Sequence, residues 1–146
     1  MSILRLRYRV PAHDERVRRG ELYWAELRPR SGSEQRGRRP VVVVSHDSFN
    51  QAPAWRSVIV VPVSTSVGQA RRGPTAIDLP AGSAGLPRQS VVLCHQVTKL
   101  DRRKLREAIG TLEPSLLARV NAGLRAALDL EDDRATVAID PVAARE

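Results

Sequence analysis

The chain has 146 residues, of which 42% are hydrophobic and 3% aromatic, so it can form one domain with a core of Val, Leu, Ile and Ala. It carries 24 Lys and Arg against 16 Asp and Glu, and the formal net charge of +8 favours a polyanionic partner, because each neutralised phosphate releases counterions. The chain has one cysteine, which excludes a disulfide within it. No apolar run approaches the roughly 20 residues of a membrane span. The first residues do not form the apolar segment of a signal peptide. We therefore expect a cytoplasmic protein with no membrane partner.

The two ends of the chain differ in charge, and they divide it into three predicted parts. Residues 1–18 are a basic N-terminal extension, which could be an edge strand or an arm that orders only on a partner. Residues 19–130 form the predicted folded domain. Residues 131–146 are acidic and are expected to be a flexible tail.

The first two predicted strands flank a cationic loop. Residues 21–27 predict a strand with apolar side chains on both faces. Residues 28–39 are rich in Gly, Ser and Arg and predict a loop, and residues 40–45 contain four consecutive valines that predict a strand buried on both faces. Arg39 lies where the loop meets this strand, so its charge can be exposed and yet held by a rigid scaffold.

The rest of the chain alternates short strands with turns and then forms a helix. Pro62 argues that its strand ends at an edge or carries a bulge, and Asp101 can cap a short helical piece. The predicted elements are a turn or helical turn at 46–52, strands at 57–64, 75–79, 90–98 and 106–112, loops at 65–74 and 80–88, and a helix at 114–128 whose buried face is Leu116, Leu117, Val120, Leu124 and Leu128. Short strands followed by one amphipathic helix indicate an α+β protein, a small barrel-like β-sheet with helices appended.

The spacing of reactive residue types excludes several kinds of site. The one cysteine and the three histidines match no zinc spacing, no glycine-rich phosphate loop precedes a helix, and no nucleophile elbow is present. What remains are polar side chains at strand ends, which a small barrel can bring to one face: Ser33, Arg39, Ser64, Thr65, His95 and Gln96. A guanidinium, hydroxyls and an imidazole suffice for metal-free cleavage of RNA, in which the 2′-hydroxyl is the nucleophile.

Five motifs follow one another over about residues 19–130: RGELYWAEL, GSEQRGRRPVVVVSHDSFN, VIVVPVST, LPRQSVVLCHQVTKLDRRKL and IGTLEPSLLARVNAGLRAALDL. In this order they resemble the MazF/PemK family of toxins from type II toxin–antitoxin systems. The resemblance implies an SH3-like β-barrel that dimerises and cleaves single-stranded RNA at short sequences without a metal or other cofactor. It also implies a MazE-like antitoxin, whose extended acidic segment covers the RNA site.

The resemblance assigns roles to individual residues. Arg39 falls on the family's catalytic arginine in G-x-R-P, and we expect it to stabilise charge on the phosphate, because a guanidinium stays protonated. Ser64 falls on the hydroxyl residue at the end of the Pro-Val strand, and the predicted catalytic residues are Arg39, Ser64 and His95. His95 stands where the family usually has Asp or Glu, and an imidazole is suited to proton transfer near neutral pH; Leu93 departs from members with a catalytic arginine there. The RNA-binding candidates are Ser33, Glu34, Gln35, Arg38, Thr65 and Gln96.

Structural roles compete with functional ones at several positions. Ser64 could cap backbone at the strand end, and His95 could be half-buried and hydrogen-bonded within a strand. We expect Cys94 to be a packed core thiol and Trp24 a core residue, which leaves Trp55 as the better candidate for stacking on a base.

Other functions stay open at this point. A toxin of the same fold could poison a protein such as gyrase without catalysis, and a plain RNA-binding barrel would not turn over. The acidic residues 131–146 raise a separate hypothesis, in which they fold back onto the basic site and imitate an antitoxin segment.

Overall fold

The valine-rich strand after the cationic loop lies at the middle of the fold. The computed structural model describes residues 17–27, 37–65 and 73–130. They form β1 (Glu21–Leu27), β2 (Gly37–Val43), α1 (Asp47–Asn50), β3 (Ser57–Ser64), β4 (Ala76–Leu79), β5 (Ser90–Leu93), β6 (Thr98–Asp101), β7 (Leu105–Thr111) and α2 (Pro114–Leu128). Single 3₁₀ turns occupy Ser83–Gly85, Cys94–Gln96 and Arg102–Lys104.

The strands make one antiparallel sheet in the order β4-β5-β3-β2-β1-β7, with β6 paired to β3. On one side β3 pairs with β2, where Val41 lies opposite Pro62. On its other side β3 pairs first with β6 and then with β5. The expected small barrel-like sheet is therefore a seven-stranded antiparallel sheet, and it is not closed, because β4 and β7 end the strand order.

Alternation along β2 and β3 divides the apolar side chains between two cores. Val42 and Val44 pack in the first core, with Val61, Val63 and the apolar residues of α2. The intervening residues of the same strands pack in a second core, together with Tyr23, Ala25, Leu100 and Leu105. Strand side chains point to opposite faces in turn, so four consecutive valines can all be buried, as predicted.

The predicted C-terminal helix is confirmed as α2, and it covers the first core. Pro114 occupies its first turn, where a missing N–H costs nothing. Val120 is buried, and Leu116, Leu117 and Leu124 pack against the core. Leu128, predicted on the buried face, is 51% exposed, because the helix ends there at Asp129 in a left-handed conformation.

Arg19, just before β1, joins α2 to the end of β2. Its Nε donates to the carbonyl of Val44 at 2.8 Å, and its Nη2 donates to Asn121 Oδ1 at 2.7 Å. Its backbone N–H donates to Asp47 Oδ1 at 2.7 Å. Burial lowers the pKa of this guanidinium, while Asp47 opposes that effect. Val17, within the predicted N-terminal extension, is fully buried in the second core.

Three sequence predictions about strands differ from the structure. The second strand begins at Gly37 rather than Pro40, because Leu27 pairs with Gly37 and extends the ladder with β1. The predicted strand 90–98 is two strands, β5 and the start of β6, separated by the turn Cys94–Gln96. The chain turns there because β5 pairs with the end of β3, whereas β6 pairs with its beginning. Pro62 lies in a central strand rather than at an edge. It falls between the residues of β3 that pair with β6 and those that pair with β5.

The other predicted elements have close counterparts. The strand at 21–27, the helical turn near 46–52 and the strand at 57–64 are confirmed, and 75–79 and 106–112 match β4 and β7 within one residue at each end. Asp101 caps its turn by accepting from the backbone N–H of Arg103 at 2.8 Å. Hydrogen bonds from the Arg103 guanidinium, and then from this backbone N–H, lower the pKa of the Asp101 carboxyl to about 2. Within residues 17–27, 37–65 and 73–130, no helix is long and apolar enough to cross a membrane.

Candidate functional site

Arg39 and Ser64 lie near the ends of neighbouring strands, β2 and β3. The register of these strands pairs Val41 with Pro62, and its continuation by two residues would set Arg39 opposite Ser64. Residues directly opposite in an antiparallel pair have Cβ atoms about 4.5–5.5 Å apart. Both residues lie on the second-core face of the sheet, and both are half-buried.

Three neighbours shape the position of Arg39. Pro40 follows it and biases its backbone towards an extended conformation. On the opposite side of β2 it pairs with Ala25, whose small side chain is fully buried and leaves room above the sheet. Gly37 begins β2 with a φ of 91°, a left-handed conformation that favours glycine and redirects the chain into the strand.

Arg38 belongs to a separate group on the opposite face. Its guanidinium carbon lies 6.0 Å from the ring centroid of Trp24, and its Nη2 contacts Glu107 Oε1. The pKa of the Glu107 carboxyl is lowered first by a hydrogen bond from the backbone of Glu107 itself and then by the one from Arg38. Trp24 is 37% exposed rather than in the core, because its strand position lies beyond the residues that α2 covers. The structure thus separates Arg38 from Arg39, although they are adjacent in sequence.

His95 and Gln96 lie in the turn that follows β5, and both are exposed. On β5, Val91 is the residue that pairs with Ser64, and the turn begins three residues later. At about 3.3 Å per residue, His95 and Gln96 lie on the order of 10 Å along the sheet from Ser64. Thr65 immediately follows Ser64 and is exposed. The predicted polar side chains therefore form two groups, Arg39 with Ser64 and His95 with Gln96.

Cys94 is a packed thiol, as expected. It is fully buried, its Sγ donates to the carbonyl of Val120 at 3.7 Å, and burial raises its pKa to about 11. Since the thiolate is the reactive form, Cys94 is not an activated nucleophile. Gly123 of α2 faces it closely, because a Cβ there would lie 2.8 Å from the sulfur. Leu93, which departs from the catalytic arginine of some family members, is buried.

Several predicted residues lie outside the part of the chain that the structure describes. These are Ser33, Glu34 and Gln35 of the cationic loop, together with residues 1–16 of the N-terminal extension and residues 131–146 of the acidic tail. In the described residues, no three His, Cys, Asp or Glu side chains come together as a metal site.

Sequence reasoning missed an acid on the same row as the Arg39–Ser64 pair. Asp78 of β4 pairs with Val91, which in turn pairs with Ser64. The Oδ1 atom of Asp78 is enclosed and has no hydrogen-bond partner among the described residues. Strand register is what reveals this position, and no motif in the sequence marks it.

Sequence reasoning also missed Arg102, a buried arginine that holds the α1–β3 loop. Its guanidinium donates to the carbonyls of Trp55 at 2.9 Å, Asn50 at 2.7 Å and Phe49 at 3.1 Å. This loop presents the rings of Phe49 and Trp55, whose centroids are 4.8 Å apart. Trp55 is 48% exposed, so its ring remains accessible for stacking.

Solved structures share this arrangement of sheet and helix. An endoribonuclease in complex with its cognate antitoxin, from a mycobacterial species, superposes with a TM-score of 0.64 at 23% identity, over 80% of this chain and 98% of that one. MazF from Deinococcus radiodurans superposes with a TM-score of 0.62 at 30% identity, over 77% of this chain and 96% of that one. The MazE–MazF complex from the same organism superposes with a TM-score of 0.62 at 28% identity, over 79% of this chain and 97% of that one. The fold is that of the MazF toxins.

Sequence comparisons identify the family. The family described as "PemK-like, MazF-like toxin of type II toxin-antitoxin system" matches residues 18–128. Endoribonuclease MazF6 of Mycobacterium tuberculosis H37Rv is 38% identical over 114 residues, which are 78% of this chain and 98% of the relative. Endoribonuclease EndoA of Bacillus subtilis is 34% identical over 116 residues, which are 80% of this chain and 97% of the relative. The chain belongs to the PemK/MazF family of toxins, as its motifs predicted.

Proposed function

We propose that this protein is the toxin of a type II toxin–antitoxin system and acts as a sequence-specific, metal-independent endoribonuclease on single-stranded RNA. Membership of the toxin family supports the class, and relatives at 34–38% identity that are named endoribonucleases support the reaction. The observation that carries the proposal is the register of β2 and β3, which pairs Val41 with Pro62 and, continued by two residues, would set Arg39 opposite Ser64 on one face of the sheet.

The proposed reaction needs no nucleophile from the protein. The ribose 2′-oxygen attacks the adjacent phosphorus, the bond from phosphorus to the 5′-oxygen breaks, and a 2′,3′-cyclic phosphate remains. The proton lost from the 2′-hydroxyl balances the one gained by the leaving 5′-oxygen. Negative charge develops on the phosphate oxygens, and a fixed guanidinium there is worth more in a half-buried site than in water.

We assign charge stabilisation to Arg39 and hydrogen-bond donation to the phosphate to Ser64. A guanidinium presents a fork of donors that matches phosphate oxygens, which suits Arg39 to bind the scissile group. His95 lies along the sheet from this pair, and we place it with Gln96, Thr65 and the loop residues Ser33, Glu34 and Gln35 in binding the nucleotides on either side. We place Arg38, which lies in β2 on the other face, among the RNA-binding residues as well.

The proposed partners are the RNA substrate, a second copy of this chain and a MazE-like antitoxin. The MazE–MazF complex of a relative at 28% identity supports the antitoxin, and a basic chain supports both RNA and an acidic segment as ligands. A cytoplasmic location belongs to the same proposal, since single-stranded mRNA is found there.

We further propose that the sheet is an SH3-like barrel left open between β4 and β7. The turn Ser83–Gly85, which follows β4, packs on β7, and this contact supports the proposal. A Cβ on Gly85 or Gly110 would collide with backbone of the facing segment, so two glycines permit the close approach.

The test is cleavage of a long, unstructured RNA in the presence of EDTA. We expect cuts at a short recurring sequence, with a 2′,3′-cyclic phosphate or its hydrolysis product at the new 3′ end. Binding of RNA without cleavage would instead indicate a plain RNA-binding protein, and copurification with gyrase without RNA cutting would indicate a non-catalytic poison.

A further inference from the structure

A chain of polar side chains connects the segment before β4 with the turn after β5. His95 Nδ1 lies 3.4 Å from Thr75 Oγ1, and His95 Nε2 lies 3.5 Å from Gln96 Nε2. Both nitrogens of the imidazole therefore face a polar group. Thr75 is half-buried, whereas His95 and Gln96 are exposed at the surface.

The orientation of the Gln96 amide assigns a tautomer to His95. With the amide nitrogen towards the imidazole, that nitrogen donates, and the His95 Nε2 beside it accepts and carries no proton. In a neutral imidazole the proton is then on Nδ1, which donates to the Thr75 hydroxyl oxygen. The three side chains thus form one directed chain of hydrogen bonds, from Gln96 to His95 to Thr75.

The same chain determines which end of the Gln96 amide a ligand meets. The amide nitrogen and the carbonyl oxygen diverge from one carbon, so holding the nitrogen against the imidazole turns Oε1 away from it. Because Gln96 is exposed, this oxygen is presented to the surface. An amide oxygen accepts hydrogen bonds, and on a nucleobase the matching group is an exocyclic amino group.

We propose that Thr75 and His95 are positioning residues for RNA recognition. Thr75 holds His95 in the Nδ1–H tautomer, and His95 holds the Gln96 amide with Oε1 facing a base that donates from an exocyclic amino group. This inference rests on the proposed function and deepens it, because it names the chemistry of a recognised base and the residues that select it.

The tautomer is tested without RNA, by long-range ¹H–¹⁵N NMR of the imidazole in the full chain. We expect a protonated Nδ1 and an unprotonated Nε2 in the wild type. Thr75→Val, which removes the hydroxyl at nearly constant volume, should give a mixture of tautomers, whereas Thr75→Ser should restore the wild-type spectrum. Thr111→Val is the matched control, since Thr111 is exposed on β7. A wild type with its proton on Nε2 would overturn the inference.

The effect on recognition is tested with short RNAs that differ in one amino group, with purine in place of adenine or inosine in place of guanine. We expect Thr75→Val and Gln96→Ala each to reduce the preference for the amino-bearing base by about 2- to 10-fold, the range of one hydrogen bond. The double variant should lose no more than Gln96→Ala alone. His95→Glu keeps an acceptor beside Gln96 and should retain the preference, whereas His95→Lys replaces it with a donor and should lose it.

The outcomes separate this inference from the proposed function. An unchanged base preference in Thr75→Val, together with a uniform fall in kcat for every substrate in Thr75→Val and His95→Glu, would overturn the positioning role and indicate proton transfer by His95. A wild type that cuts no RNA would refute the proposed function, and the imidazole spectrum would still decide whether Thr75 and Gln96 fix His95.

Discussion

Arg39 shows how local sequence and tertiary contacts combine at one residue. Pro40 extends its backbone through local sterics alone, and Val41 anchors the following strand in the second core. The register then adds Ala25 on one side and Ser64 on the other, from segments 14 and 25 residues away in sequence. A charged side chain held in this way loses little freedom when it binds a phosphate, which is what a preorganised site requires.

Replacement of Arg39 tests its role at the residue scale. Arg39→Ala should lower kcat for RNA cleavage by roughly 10²–10³, as removal of one charge-stabilising donor does elsewhere. Arg39→Lys should recover only part of the rate, because an ammonium lacks the planar fork. The measurement is single-turnover cleavage of a short RNA, alongside circular dichroism to show that the fold persists. Arg119→Ala removes an exposed arginine of α2 as the control; equal rates in the two alanine variants would contradict the assignment.

At the scale of elements, side-chain contacts to backbone hold the loops in place. Arg19 joins α2 to the end of β2, and Arg102 joins the β6–β7 turn to the α1–β3 loop. Neither arginine makes these bonds to a carboxylate. Buried carbonyls without partners are costly, so one guanidinium that satisfies several of them stabilises a loop with no regular structure of its own.

Replacement of Arg102 tests this arrangement. Arg102→Met keeps most of the buried volume and removes the guanidinium donor from the carbonyls of Asn50 and Trp55, while the Phe49 carbonyl keeps the Ala52 N–H at 3.2 Å. We expect the free energy of unfolding to fall by about 2–4 kcal/mol, measured by urea denaturation. The neighbouring Arg103→Met is the control, since Arg103 is exposed and its ion pair with Asp101 should contribute little. Similar shifts in the two variants would show that the loop does not depend on Arg102.

At the scale of the whole molecule, the net charge of +8 is the property that acts over the longest range. Charges on the surface attract a polyanion before any specific contact forms, and they raise the rate of encounter. The specific site occupies only part of this surface. Under the proposed function, affinity for RNA and selection of a sequence therefore have different origins, the first in net charge and the second in the groups proposed to read bases, such as Gln96.

Salt dependence tests the contribution of net charge. Binding of a 2′-O-methyl RNA, which lacks the attacking hydroxyl, should weaken roughly 50-fold between about 50 and about 200 mM NaCl if about four phosphates are neutralised. Fluorescence anisotropy measures the affinity. Gln96→Ala should lower affinity for a cognate sequence without changing the slope of log affinity against log salt. A flat salt dependence in the wild type would exclude electrostatic capture of RNA.

The sequence by itself predicted the strands around the valine run, the C-terminal helix and the family, because these depend on short-range periodicity and on motifs. It placed Arg39 at the start of a rigid strand from Pro40 and the valines alone. The family motif assigned different roles to Arg38 and Arg39, but spacing alone could not place them on opposite faces, since alternation does so only once the strand is known to begin at Gly37.

Tertiary structure decided which distant residues share a face. The placement of Arg39 beside the end of β3, the break between β5 and β6, and the carbonyls around Arg102 all depend on register or on contacts between segments far apart in sequence. A shift of one residue in any strand would exchange the faces, and no local pattern determines that choice uniquely. The chain therefore determines its elements locally, while the burial of two cores determines how those elements meet at the site.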